Sequence, residues 1–369
     1  VGVNALGADT LGDRSVAIGN EALLAQNFTS STDVYNVAVG YQAGKAVTTG
    51  IRNTLIGGLV GDATTVGSYN TGMCYNVLGA NVNGTENVAI GDNSMADNTS
   101  GAYNTAVGTS SLANNTTSGN NTALGYASLN ANTTGTENTA VGALSLDACT
   151  TGNNNTAVGH NSLSTNILSD HNVAIGNDAL ATHNTGSSID AYNVAVGSGA
   201  GFAVTTGKQN TFIGGNSGDA ITTADNNTAV GYNSLTANTT GTPNTAVGAS
   251  ALAANTTGGS NVAVGKSALD ANTTGGSNIA IGVDALGANT TGANNTAVGK
   301  SALSTNTTGT RNTALGFEAA ELSTASDNVA IGYKALDTTT SGSNNTAVGT
   351  EAMDANTTGS ANVAVGYRT

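Results

Sequence analysis

The chain has 369 residues, of which only 9% are charged and 4% are aromatic, with a single proline and no tryptophan. This departs from an ordinary globular domain, in which about 25% of residues are charged. The formal net charge of −14 argues against nucleic-acid binding, which needs a basic surface. No run of apolar residues is long enough to predict a membrane span.

A five-residue phrase, Asn-(Thr/Val)-Ala-(Val/Ile/Leu)-Gly, returns with a 17-residue period along almost the whole chain. We call each repeat a coil and number its residues as places 1 to 17, with the asparagine at place 1. The consensus is N-T-A-V-G-x-x-(S/A)-L-x-A-N-T-T-G-x-x. Such a short fixed period predicts stacked coils. The 21 coils start at residues 15, 36, 53, 70, 87, 104, 121, 138, 155, 172, 193, 210, 227, 244, 261, 278, 295, 312, 328, 345 and 362.

A longer repeat is superimposed on the short one. The coils that start at residues 15 and 172 share the same four-residue insertion, and the coil that starts at residue 312 is one residue short. We therefore predict one continuous array over residues 1–369, in which two nine-coil blocks arose by duplication. Because the sequence begins and ends within a coil, we expect it to be a segment of a longer array. The parts are an incomplete coil (1–14), a first block (15–171), a second block (172–327) and the start of a third (328–369).

The phrase predicts a short β-strand, because it is rich in β-branched residues and alternates larger residues with alanine. Each coil is too short for a crossover helix, so we predict an all-β parallel β-solenoid, or β-roll. Glycine at place 15 tolerates a positive φ, and the preceding asparagine can bond to its own backbone in a turn. We expect Asn-Thr-Thr, at places 12 to 14, to be exposed. The residue at place 4 is expected to face the interior in every coil, as at Val107, Val158, Ile175, Val247, Ile281 and Ile331.

The predicted core is thin, since each coil offers about two medium-sized apolar side chains to the interior. Even with the hydrogen-bond ladders of the backbone, a single solenoid this narrow is expected to be only marginally stable, because every residue of a coil loses conformational entropy on folding. The recurrent alanine and glycine form a stripe of small residues that would let chains approach closely. We therefore expect three chains to lie side by side in a trimeric fibre.

The phrases Ser15–Gly19, Asn172–Gly176 and Asn328–Gly332 resemble the head repeats of trimeric autotransporter adhesins. Similar phrases recur in phage tail fibres and other surface fibres. The resemblance covers nearly all of the chain, and it implies a trimeric, left-handed parallel β-roll.

Motifs that would indicate catalysis, phosphate binding or metal binding are weak. The segment Gly40–Ala46 is similar to a phosphate-binding loop but has three intervening residues instead of four, and Ala46 where a serine or threonine should hold the metal. His160, His171 and His183 stand at different places of their coils, so we expect solvated histidines and no metal site. The acidic residues show no recurrent pairing. We therefore predict no catalytic residues, no cofactor and no enzymatic activity.

Cys74 takes the glycine place of its phrase, and Cys149 stands at place 12, where neighbouring coils have asparagine. They lie four coils apart, or roughly 19 Å, so a disulfide within one chain is excluded if the solenoid forms. We expect buried or unreactive thiols, with pairing between chains as the alternative.

The Asn-Thr-Thr segments raise two functional alternatives. Each is an acceptor sequence for N-glycosylation, although turn chemistry alone also accounts for it. A threonine ladder also resembles ice-binding surfaces, but adjacent threonines on a strand cannot both point outward. The candidate glycosylation sites are Asn132, Asn238, Asn255, Asn272, Asn289, Asn306 and Asn356.

Together these features predict a non-enzymatic, extracellular structural or adhesive fibre, a rod of roughly 100 Å for 21 coils. Its partners are expected to be further copies of itself and surface glycans or a host receptor. It would lie at a cell surface or on a virion. The alternative is a viral tail fibre with a receptor-binding or glycan-cleaving tip elsewhere, and a minor alternative is an ice-binding solenoid.

Overall fold

The computed structural model describes all 369 residues, and its regular secondary structure consists entirely of short β-strands. The chain is a parallel β-solenoid whose strands repeat with the period of the phrase, as predicted. It divides into two compact units, Val1–Ala191 and Tyr192–Thr369. The division falls one coil after the start of the second sequence block.

The first unit contains ten strands from the phrase and two, β1 and β3, from the segments around the first insertion. Consecutive strands pair in parallel, as at Ala140 opposite Ala157. The strands are β1 (Gly12–Asp13), β2 (Val16–Ile18), β3 (Thr32–Asp33), β4 (Val37–Val39), β5 (Thr54–Ile56), β6 (Thr71–Met73), β7 (Val88–Ile90), β8 (Thr105–Val107), β9 (Thr122–Leu124), β10 (Thr139–Val141), β11 (Thr156–Val158) and β12 (Val173–Ile175).

The second unit contains eleven strands, all from the phrase, and repeats the same parallel pairing, as at Ala246 opposite Ala263. The strands are β13 (Val194–Val196), β14 (Thr211–Ile213), β15 (Thr228–Val230), β16 (Asn244–Val247), β17 (Asn261–Val264), β18 (Ile279–Ile281), β19 (Thr296–Val298), β20 (Thr313–Leu315), β21 (Val329–Ile331), β22 (Thr346–Val348) and β23 (Val363–Val365).

The interior of a coil is lined by small residues and one leucine. In the coil that starts at Asn244, the buried apolar side chains are Ala246 at place 3, Ala251 at place 8 and Leu252 at place 9. The prediction that place 4 faces the interior is wrong. Because strand side chains alternate, burial of the alanine at place 3 turns places 2 and 4 outward. Val107, Val158, Val247 and Ile331 are half-buried, and Ile175 and Ile281 are exposed.

Two buried asparagines close each consensus coil onto one carbonyl. The side-chain amides of Asn244 and Asn255 both donate to the carbonyl oxygen of Gly258, each over 2.9 Å. The same asparagines link neighbouring coils, since the backbone N–H of Asn261 donates to Oδ1 of Asn244 and Nδ2 of Asn255 donates to Oδ1 of Asn238, both over 3.0 Å. Places 1 and 12 therefore form amide ladders through the interior, where an unpaired polar group would be costly.

Glycine is required at place 5 by both conformation and space. Gly248 has a φ of 137°, and a Cβ there would lie 2.4 Å from the carbonyl oxygen of Gly265 in the next coil. The glycine at place 15 does not use the positive φ that glycine tolerates, since Gly258 is not in the left-handed region. Its constraint is close approach, since a Cβ on Gly258 would lie 2.4 Å from the carbonyl oxygen of Gly275. Left-handed backbone instead occurs at non-glycine places, including the buried Leu252 at φ 52°.

In two coils the large interior side chain stands at place 3 and not at place 9. In each of them place 9 is glycine and a larger residue at place 3 fills the interior from the opposite side, as Phe212 does opposite Gly218 and Leu55 opposite Gly61. A Cβ on Gly218 would lie 2.4 Å from Cε1 of Phe212. The two places therefore compete for one volume in the coil interior.

The two insertions are held by equivalent contacts. Around the first insertion Ser31 donates to Asp13 over 2.8 Å, and Arg14 pairs with Asp33 over 2.5 Å. At the equivalent positions around the second insertion, Ser188 donates to Asp170 over 3.3 Å, and Nδ1 of His171 lies 3.0 Å from Oδ1 of Asp190. The duplication has therefore preserved the contacts that hold the insertion as well as its length.

Candidate interaction surfaces

The outward side of the strands forms an apolar surface, which we call the strand face. We define it as places 2 and 4 with the bordering place 6 and the last place of the coil, which is place 17 in the consensus. Most of the exposed large apolar and aromatic side chains lie on this surface, as do Ile279 and Ile281, which are 39% and 40% exposed. Contiguous exposed apolar surface is typical of a protein–protein interaction site. The exposed large residues outside it are Leu11, Val66, Val82, Ile167, Phe202 and Leu322.

All ten tyrosines stand on the two borders of the strand face, and all are at least 44% exposed. The sequence analysis did not identify this pattern, although the positions of the tyrosines relative to the phrase contain it. Tyrosine is enriched in protein interfaces, because its ring is apolar and its hydroxyl still forms hydrogen bonds. Place 6 holds Tyr41, Tyr75, Tyr126, Tyr232, Tyr333 and Tyr367, and the last place holds Tyr35, Tyr69, Tyr103 and Tyr192.

Several border residues stack along the coils. Phe317 and Tyr333 are parallel, with ring centroids 5.6 Å apart, and the ammonium of Lys300 lies 5.6 Å from the Phe317 centroid. On the other border the guanidinium of Arg52 lies 5.5 Å from the ring centroid of Tyr69. These contacts hold the rings of Phe317, Tyr333 and Tyr69 against residues of the neighbouring coils, since cations are attracted to aromatic faces.

A second surface, the threonine face, is formed by places 13 and 14 of the five coils that start at residues 227, 244, 261, 278 and 295. At place 13 the hydroxyls of the first four threonines each donate to the carbonyl oxygen of the next one, as from Thr256 to Thr273 over 3.0 Å. These residues lie in bends and not in strands, so strict alternation does not apply. Thr256 is half-buried and Thr257 is exposed. The face comprises Thr239, Thr240, Thr256, Thr257, Thr273, Thr274, Thr290, Thr291, Thr307 and Thr308.

The candidate glycosylation asparagines belong to the interior amide ladder. Asn132, Asn238, Asn255, Asn272, Asn289 and Asn306 have no exposed surface, and Asn356 is half-buried. The expectation that Asn-Thr-Thr is exposed as a whole is therefore wrong for its asparagine, because that amide closes the coil onto the place 15 carbonyl. A glycan on a side chain with no exposed surface would require the coil to open.

The segment similar to a phosphate-binding loop is an ordinary part of a coil. Gly40 occupies place 5, and Nζ of Lys45 pairs with Oε2 of Glu21 over 2.9 Å. The three histidines do not converge: His160 is exposed, His171 contacts Asp190, and His183 is buried at place 12. The described residues contain no group of three or more histidine, cysteine or acidic side chains arranged to hold a metal ion.

Both cysteines are free, as predicted for residues four coils apart. Cys149 is fully buried, and this burial raises the pKa of its thiol to about 12. A thiol with so high a pKa is poorly reactive, because the thiolate is the nucleophile. Cys74 is exposed and has a φ of 103°, which a residue with a Cβ rarely adopts.

The surface of the described chain has no pocket, and no helix has the length and hydrophobicity needed to cross a bilayer. No protein family matches the sequence, and no curated protein is significantly similar to it. The arguments about function therefore rest on the two exposed surfaces.

Proposed function

We propose that the chain is a segment of a non-enzymatic, extracellular fibre with a structural or adhesive role at a cell or virion surface, in which three copies associate through their strand faces. The proposal rests mainly on the outward apolar side chains, half-buried or exposed in the single chain, which repeat at place 4 in coil after coil. A surface that repeats once per coil is suited to a partner whose surface repeats at the same spacing. A second copy of this chain meets that condition.

The interior of the coil supports the same proposal. Place 3 is alanine and place 8 is serine or alanine in most coils, so the larger β-branched residues of each phrase lie outside the coil. Covering these side chains would contribute about 25 cal/mol per Å² of apolar area removed from water. The resemblance of Asn172–Gly176 and its equivalents to trimeric adhesin repeats favours three chains.

Charge substitution on the strand face tests the association. The double variant Val247→Asp/Ile281→Asp puts two carboxylates at outward positions and leaves the coil interior untouched. We expect the native chain to have a mass in solution of three times 35.8 kDa, and the variant to be a monomer with an unchanged far-ultraviolet circular dichroism spectrum. Burying an unpaired charge in an interface costs several kcal/mol.

The matched control is Ser250→Asp/Ser267→Asp. It makes the same change at place 7, where Asp178 and Asp284 stand in other coils. The control is expected to remain trimeric. A native chain that is monomeric at micromolar concentration, or a strand-face variant that stays trimeric, would refute the proposed association.

A further inference from the structure

The threonine face is a regular, uncharged surface on the second unit. From residue 237 to residue 310, places 11 to 16 of its five coils carry only alanine, asparagine, threonine and glycine. It has no lysine or glutamate, whose long side chains would be mobile and strongly hydrated, and no aromatic ring on which a sugar could stack.

The first column of this face is fixed by identical hydrogen bonds. The place 13 hydroxyls donate from Thr239 to Thr256 over 3.1 Å and from Thr256 to Thr273 over 3.0 Å. The following two steps, which end at Thr290 and Thr307, are also 3.0 Å. Because the first four hydroxyls are each held by a backbone carbonyl, these threonines share one orientation from coil to coil.

The second column presents hydroxyls that form no hydrogen bond within the protein, as at Thr257, Thr274 and Thr291. Its backbone is nonetheless held, since the N–H groups of Thr257 and Thr274 both donate over 3.2 Å to place 13 carbonyls. The surface therefore presents free hydroxyls at the coil spacing of about 4.8 Å. They lie beside threonines whose own hydroxyls donate to backbone carbonyls.

We propose that the threonine face binds ice. A partner that matches such a surface must itself be periodic, must form hydrogen bonds with hydroxyls at regular intervals and must tolerate methyl groups between them. Crystalline water meets all three conditions. The inference is independent of the proposed self-association, because it concerns the bends and not the strand face.

The test uses the full chain and the double variant Thr257→Lys/Thr274→Lys, which changes two exposed side chains that make no hydrogen bonds in the fold. We expect the native chain to inhibit ice recrystallisation at micromolar concentration and to be incorporated into a growing ice crystal. The variant should need at least about tenfold more protein, equivalent to about 1.4 kcal/mol.

The matched control is Ala253→Lys, which adds a lysine to the coil of Thr257 but at place 10, where Lys45 stands naturally. It should retain the native activity. The proposal is overturned if the native chain enters ice no better than serum albumin, or if the lysines at Thr257 and Thr274 leave the activity unchanged. Binding to crystalline cellulose without activity on ice would also overturn it, by assigning the surface to a polysaccharide.

Discussion

Oδ1 of Asn132 has no hydrogen-bond partner in the interior, because the next residue in its ladder is Cys149. In consensus coils this oxygen accepts from the amide of the following asparagine, as Asn255 accepts from Asn272 over 2.8 Å. A thiol at the same position cannot replace that donor. The Asn132–Cys149 step is therefore a defect in the run of place 12 asparagines from Asn81 to Asn166.

Cys149→Asn should repair the defect. The new amide can donate to Asn132 and to the carbonyl oxygen of Gly152, and can accept from Asn166. We expect the free energy of unfolding in urea to rise by about 1–3 kcal/mol, since an unsatisfied buried acceptor is removed. Cys149→Ala, which leaves Asn132 unpaired, is the control, and a gain of the same size in that variant would contradict the explanation.

Cys74→Gly should also stabilise the chain. The cysteine has a φ of 103° at the place where the other phrases have glycine. Removing the Cβ should relieve about 1–3 kcal/mol of backbone strain, measured as a rise in the midpoint of thermal unfolding.

The converse change at place 5, Gly248→Ala, should lower that midpoint, because its Cβ would lie 2.4 Å from a carbonyl oxygen of the next coil. Equal stability of the alanine variant and the native chain would show that place 5 tolerates a side chain.

Phe212 and Gly218 provide a test of whether places 3 and 9 fill the same volume in the coil interior. Phe212→Ala leaves a cavity and should cost about 3–5 kcal/mol in unfolding free energy. Gly218→Leu should also be destabilising, because its Cβ would lie within 2.4 Å of the ring.

The double variant restores the consensus pair of alanine and leucine, and should recover about 0.5–3 kcal/mol relative to the sum of the single changes. Additive effects in this double-mutant cycle would mean that the two places do not share one volume.

Asp147 should make stability depend on pH. Burial raises the pKa of its carboxyl above the ordinary 3.8, and Oδ1 has no partner. The native state therefore binds more protons than the unfolded state between these two pKa values, so the contribution of this group to stability falls as pH rises through that interval.

Asp147→Asn should accordingly stabilise the chain at pH 7, and the gain attributable to charge should disappear below about pH 3.8. Urea unfolding at pH 7 and pH 3 measures the difference, with the exposed Asp284→Asn as the control. A gain that is equal at both pH values would show that the ionisation of Asp147 is not its cause.

The period, the strand positions and the parallel register could be predicted from the sequence, because they follow from the spacing of one phrase. The orientation of the strand could not. Val247 is more apolar than Ala246, and ranking by hydrophobicity put it inside. The coil is too narrow for that choice, since its interior already holds Leu252, and the larger side chain lies outside.

The role of the asparagines was missed for a related reason. Asn255 reads locally as a turn residue, and its convergence with Asn244 on one carbonyl depends on the closure of the whole coil. The tyrosine borders, in contrast, could have been found by aligning the coils, because the places of all ten residues are visible in the sequence.

The nearest-neighbour pairing of the coils has a mechanical consequence within each unit. Every strand contacts only the strands of the adjacent coils, so a chain pulled from one end should peel away one coil at a time. Each event would release the residues of one coil, a contour length of about 55–60 Å, and the coils that start at residues 15 and 172 would release their insertions as well. Under load, a single chain would thus extend in regular steps, with each of the two insertions marking a longer step.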